Sequence, residues 1–274
     1  MYDTELISDP AVVVDGVGKK YPISGAGRGA GRSPRLHFRA EYVDALRDVS
    51  FVARKGESIG IIGRNGSGKS TLLRLIAGGE AVTSGVVYVS SQPTLLGVSP
   101  ALQGWLTGEQ NIYLGLLALG MKPYEAKEKI PEIVEWAELS EAAKRPMNTY
   151  SSGMGSKLSF AISTAVRPEI LLVDESLSTG DAAFAAKAQE RMGNLLSGAG
   201  NIFLVSHSST MIMQNCTRTL WIHNGDLIAD GETEEVTGMY REFSSKLQDH
   251  DVDKAQQFLE NVKLETVNLK FDYR

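Results

Sequence analysis

One short run restricts this chain more than any other: Gly63-Arg64-Asn65-Gly66-Ser67-Gly68-Lys69-Ser70, which satisfies the pattern G-x-x-x-x-G-K-[ST]. The β-rich segment Ser58 to Ile62 leads into it and the helical pattern LLRLIAGG follows, so the order is strand, glycine loop, helix. Glycines let backbone N–H groups wrap an anion, and the N-terminus of the next helix adds the positive end of its dipole. Lys69 is placed to reach β- and γ-phosphates and Ser70 to ligate Mg²⁺, with Arg64, Asn65, Ser67 and Thr71 completing the cradle. Such a connection belongs in an α/β fold.

A second group of residues agrees with the first. Ile170-Leu171-Leu172-Val173-Asp174-Glu175 sets two carboxylates at the C-terminal end of an apolar strand, where open α/β sheets position ligands. By itself this is also what a strand ending in solvated acids looks like. Behind an independent phosphate loop, Asp174 reads as a Mg²⁺ holder, directly or through water. Glu175 then reads as the group that polarises an attacking water, because phosphoryl transfer needs positioning and charge neutralisation more than covalent chemistry. Tyr150-Ser151-Ser152-Gly153-Met154 opens another helix with a serine cap and an exposed-backbone glycine, a second anion site on the same chain.

The rest of the pattern fills in an α/β framework. Residues 11 to 21 read as a short β segment, Val49 to Phe51 and Val86 to Ser90 as further strands. The Gly- and Arg-rich stretch from Ser24 to Arg35 cannot bury a core and reads as a solvated linker. Thr107-Gly108-Glu109-Gln110 fits a capping box, and the pattern from there to about Val166 is helical, with Pro131 expected in the first turn of a separate helix. Ile170 to Val173 and Ile202 to Val205 suit parallel strands buried on both faces. Arg218 to His223 and Leu227 to Ala229 suit a hairpin across Asn224-Gly225.

Composition removes several classes. The longest nearly uncharged apolar stretch, Ile112 to Met121, is half of the roughly 20 residues a spanning helix needs. The opening MYDTELISDP is acidic and lacks the order of a secretory signal. One cysteine, Cys216, supports neither an intrachain disulfide nor a thiolate metal cage. A net charge of -5 argues against a dedicated nucleic-acid binder.

YSSGM resembles the LSGGQ signature of ABC ATPases, with Ser152 and Met154 in place of glycine and glutamine. His207, just after the run Ile202 to Val205, resembles the switch histidine of that family, and Asp181 in STGD resembles the aspartate of its D-loop. The resemblance covers roughly residues 11 to 245. It implies a P-loop NTPase with a RecA-like core and mixed sheet, an antiparallel β region and an inserted helical subdomain at about 99–167, followed by a helical tail at 246–274. It further implies ATP and Mg²⁺ as cofactors and a homodimer in which Ser151 and Gly153 act in trans on the nucleotide held by the other copy. Tyr21 resembles the aromatic that stacks on adenine, and Gln92 the Q-loop glutamine that approaches metal and water. YSSGM, VDESLSTGDAAF and LTGEQNIYLGLLALGM resemble the branch that exports polysaccharide and teichoic acid. That branch implies ATP hydrolysis at the cytoplasmic face of the membrane, a separate multi-span permease as partner, and a lipid-linked glycan as the transported substrate. Leu95-Leu96-Gly97 resembles a turn near the glycan's entry. Export of another substrate, a soluble non-transport ABC ATPase and a P-loop kinase are the alternatives; in the last, the signature and His207 have no task.

Overall fold

The structure, a computed structural model, describes residues 9–23, 41–96, 102–174, 182–206, 208–248 and 251–265. Its strands are β1 (Pro10–Ile23), β2 (Glu41–Arg54), β3 (Ser58–Ile62), β4 (Ser84–Val89), β5 (Thr94–Leu96), β6 (Ile170–Asp174), β7 (Asn201–Val205), β8 (Arg218–His223) and β9 (Asp226–Glu232). Its α-helices are α1 (Lys69–Ile76), α2 (Gly108–Ala118), α3 (Pro123–Trp136), α4 (Ser152–Ser163), α5 (Ala182–Gly198), α6 (Ser209–Asn215), α7 (Thr233–Gln248) and α8 (Val252–Glu265). The chain divides into two compact units, residues 1–54, 61–90 and 218–274 in the first, 55–60 and 91–217 in the second.

In the first unit β2, β1 and β4 form an antiparallel sheet in the order β2-β1-β4. β2 begins at Glu41, eight residues before the β-rich run Val49 to Phe51. Its first half is largely exposed, Tyr42 and Val43 included, and its apolar residues do not alternate; pairing of Ile23 with Glu41, Tyr21 with Val43 and Lys20 with Asp44 defines it instead. The end of β3 continues this unit into the antiparallel hairpin β8-β9, turned at Asn224 and Gly225 with φ of 48° and 87°. Both central residues are left-handed, as the tightest hairpin turn requires. Trp221 of β8 is fully buried and packs edge-on to Tyr240 and against Phe243 of α7.

In the second unit β5, β6 and β7 are parallel, in the order β5-β6-β7-β3 up to the start of β3. The apolar runs of β6 and β7 are buried along their length, which is what a parallel sheet covered on both faces demands of its strands. The expected capping box is present: Thr107 Oγ1 accepts from Gln110 N at 3.2 Å and Gln110 Oε1 from Thr107 N at 2.9 Å. α2, α3 and α4 bury Ile112, Leu116, Ile133, Leu158 and Ile162 in one cluster. Trp136, Phe160 and Phe184 form a second, with ring centroids 5.1–6.1 Å apart.

Two expectations fail here. Pro131 does not start a helix but lies inside α3, which begins at Pro123. A proline in the first turn and the return of Glu125 Oε2 to Lys122 N nucleate the helix upstream. Pro131 and Lys127, whose mutual backbone bond is lost, both lie on the exposed side, so water can serve the freed carbonyl. Leu95 and Leu96 are not a turn but part of β5, paired to Leu172 and Val173; Gly97 lies outside the described residues.

Candidate functional site

The phosphate loop lies in the first unit between Ile62 and Lys69. Gly63, Gly66 and Gly68 have φ of 147°, 76° and 111°, a region closed to most side chains. At two of them space is closed as well. A Cβ on Gly68 would meet Ala45 O at 2.5 Å and Leu46 Cδ2 at 2.7 Å; one on Gly63 would strike Ile222 O and come within 2.8 Å of Ser67 Oγ. The loop is thus pressed against β2 and β8 by its glycines. Gly68 caps α1 in the left-handed conformation with no side-chain cap, so no side chain competes for the first-turn amides where an anion would bind.

Lys69 is buried, and its ammonium donates to Gly63 O at 2.7 Å and Arg64 O at 2.9 Å. Those carbonyls hold the charge at the mouth of the loop. Ser67 Oγ is buried without a hydrogen-bond partner, an orphan polar atom of the kind a bound phosphate oxygen would satisfy. Donors, glycine geometry and a cationic lysine together fit a nucleotide's phosphates. Ser70, half-buried at the second helical position, belongs to the same cradle.

Sequence reading missed what supports this loop. The β8-β9 turn buttresses it: Gly225 N donates to Ser67 O at 2.9 Å, and Arg47 N to Gly225 O at 2.8 Å. Arg47 Nε and one terminal nitrogen grip Asp226 at 2.9 and 3.0 Å, and the same nitrogen donates to Asn224 O at 2.7 Å. Lys263 of α8 reaches Asp226 at 3.1 Å. The Asn224-Gly225 signal gave the turn. Its partner Arg47, 177 residues from Asn224 and 179 from Asp226, carries no local signal.

His223 closes the same turn, its ring 5.1 Å from that of Phe243 and its Nδ1 buried without a partner. Burial first, then the charge of Arg64, push the imidazole below its ordinary range, while Asp226 pulls the other way and Arg47 adds to the lowering. The folded chain therefore keeps His223 neutral where the unfolded chain, titrating near 6.5, takes up a proton. Stability from this group is complete above about pH 6.5 and is lost as pH falls from there through the folded value, at no more than about 1.4 kcal/mol per pH unit. Thermal unfolding between pH 7.5 and 5 is expected to show this acid-side loss, and His223→Phe to flatten it. An unchanged slope in the variant would contradict the assignment.

Tyr21 ends β1 in this unit, half-buried; its hydroxyl donates to Glu80, which follows α1. In the second unit Asp174 ends β6 opposite Val205. Ser151 caps α4, accepting from Met154 N at 3.3 Å, and Gly153 lies exposed in the first turn. A Cβ at Gly153 would meet nothing nearer than Ser151 Oγ at 3.9 Å. An exposed helical glycine costs about 1 kcal/mol against alanine, and packing within the unit gives no reason for it.

Glu175, Asp181 and His207 lie outside the described residues. Gln92 is exposed and stands two residues ahead of β5. β5 itself begins with Thr94 opposite Leu171. Gln92 follows β4 and precedes β5, while Asp174 closes β6.

Comparison with known proteins agrees with the loop's geometry. The ABC transporter family profile matches residues 46–178. The teichoic acids export ATP-binding protein TagH of Staphylococcus haemolyticus is 39% identical over 199 residues, covering 73% of this chain and 75% of that protein. The chain belongs to the ABC transporter family. Among relatives in this family, TagH of Bacillus anthracis is 40% identical over 224 residues, 81% of this chain, and TagH of Enterococcus faecalis 43% over 199 residues. Both relatives are named for teichoic-acid export, the branch that the motifs of this chain resemble. The chain spans 41% and 44% of the length of those two relatives.

Solved ABC cassettes share the fold. An ATP-binding subunit of an ABC transporter superposes with a TM-score of 0.63 at 22% identity, covering 91% of this chain and 99% of that one. A dimeric ATP-binding cassette in a post-hydrolysis state with ADP and Pi gives 0.61 at 22%, covering 81% and 98%. The α/β fold expected from the sequence, with an antiparallel sheet and a sheet of mixed direction, is the fold of these ABC proteins.

Proposed function

We propose that the chain is the ATP-hydrolysing subunit of an exporter of lipid-linked glycans of the teichoic-acid class. Two copies close on ATP and drive a separate multi-span membrane subunit from the cytoplasmic face. The observation that carries this reading is the phosphate cradle, with Lys69 fixed by two loop carbonyls and the amides at the head of α1 uncapped. The family and the names of its relatives support the choice of transport and of substrate class. Among the described residues no helix is long and apolar enough to cross a membrane.

In this mechanism the loop amides and Lys69 bind the β- and γ-phosphates, Ser70 and Asp174 are the candidates for Mg²⁺, and Tyr21 offers its ring to the base. Glu175 takes a proton from the attacking water, and His207 orients the terminal phosphate. Asp181 lines the contact between copies. Mg²⁺, when bound, neutralises charge on the phosphates. Ser151 and Gly153 present the open head of α4 to the nucleotide held by the other copy, which gives the unpacked glycine its reason.

Ser151→Arg tests the trans arrangement, since it fills the proposed interface with a long cation and leaves the sequence of the phosphate loop unchanged. Titration is expected to show ATP binding to the single chain within about twofold of wild type. Phosphate release is expected to fall roughly tenfold or more, as for loss of a central interface residue. An unchanged rate rules the arrangement out. Co-purification of a multi-span membrane protein supports the transport reading, and RNA-stimulated hydrolysis without one defeats it.

A further inference from the structure

Glu80 is a carboxylate that no motif of the sequence marks and that the chemistry above does not use. It follows Gly78 and Gly79, and Gly79 N donates to Arg74 O at 3.0 Å, which brings the chain back to the second turn of α1. There Glu80 accepts from the Tyr21 hydroxyl at 2.5 Å and pairs with Lys19 at 3.3 Å and Arg74 at 2.8 Å. Tyr21's hydroxyl first, then Lys19 and Arg74, hold its carboxyl below the usual carboxylate range despite burial. Lys19, fixed to Ala81 O at 2.7 Å, stands over the Tyr21 ring, 5.0 Å from its centroid. The ring is thus tethered at its edge and covered on one face. It lies beside the helix whose first turn is the phosphate site, and from Lys69 to Arg74 that helix rises about 7.5 Å, a length on the order of one ribosyl unit.

We propose that Glu80 is a positioning residue for base binding: it holds the Tyr21 hydroxyl while Lys19 caps one ring face, leaving the other face for the base of the bound nucleotide. The inference rests on the stacking role assigned to Tyr21. A fixed ring needs no ordering when the base arrives, so its rotamer entropy is not lost on binding. Glu80 acts only through Tyr21, and its effect must vanish for a ligand without a base.

The test measures calorimetric affinity of the full chain for ATP and for inorganic tripolyphosphate. Tyr21→Ala is expected to weaken ATP on the order of tenfold, the scale of one stacked base. Glu80→Ala and Tyr21→Phe are each expected to weaken it about three- to tenfold, the scale of ordering one side chain on binding. The double variant should add little, because both remove one interaction; Glu80→Gln, still an acceptor, should recover part. Tripolyphosphate affinity should stay within twofold throughout, which also shows that every variant is folded. If Tyr21→Ala binds ATP like wild type, the stacking role fails and this inference with it. If Tyr21→Ala is weak while Glu80→Ala and Tyr21→Phe are normal, stacking stands and the role of Glu80 is overturned. Equal weakening of ATP and tripolyphosphate by Glu80→Ala overturns it too, since that marks a general disturbance of α1.

Discussion

Lys69→Ala is expected to weaken ATP binding roughly 100-fold and to abolish hydrolysis at millimolar ATP. A buried ammonium donating at 2.7 and 2.9 Å to Gly63 O and Arg64 O is already desolvated and aimed. A phosphate oxygen therefore gains its charge without the cost of ordering a flexible chain. Hydrogen bonds involving a charged group contribute about 1.5–3 kcal/mol each, and 3 kcal/mol is about 100-fold in affinity. Two carbonyls also lose their donor, so the empty loop should relax. Lys69→Arg should not rescue, because a planar guanidinium fork does not reproduce the compact ammonium held by Gly63 O and Arg64 O. Fluorescent-nucleotide titration decides the matter, and retention of wild-type affinity in Lys69→Ala would remove Lys69 from the phosphate site.

Glu175→Gln is the complementary case: ATP binding is kept and turnover is lost. A general base contributes about 10²- to 10⁴-fold to a rate, so phosphate release should fall by that factor. The amide is close to the carboxylate in size, and the sequence of the phosphate loop is unchanged. Nucleotide should then hold two copies together, because the step that releases them no longer occurs. Light scattering of the variant with Mg-ATP is expected to give twice the mass found without nucleotide. Full hydrolysis by the variant excludes Glu175 as the base, and a monomer under saturating Mg-ATP excludes the two-copy closure.

These variants report on features whose visibility in the sequence differs for physical reasons. The phosphate loop was legible because its constraints are local: left-handed backbone at Gly63, Gly66 and Gly68, a lysine at the helix start, and a strand before it. The strands β6 and β7, the capping box at Thr107 and the hairpin at Asn224-Gly225 were legible for the same reason, since period, cap and turn are properties of neighbouring residues. The Tyr21 ring was singled out, but not the Glu80 that fixes it, 59 residues on.

What the sequence determined by itself was which segments become strand, loop or helix and where an anion can be held, because glycine conformations, caps and apolar periods act over a few residues. What only the tertiary structure decided was the pairing that makes residues 41–48 part of β2, the pairing of Leu95 and Leu96 in β5, and the supports of the site, Glu80, Arg47 and Asp226. Each of these follows from pairing or from charges brought together by residues far apart in the chain, and no short-range pattern encodes such a meeting.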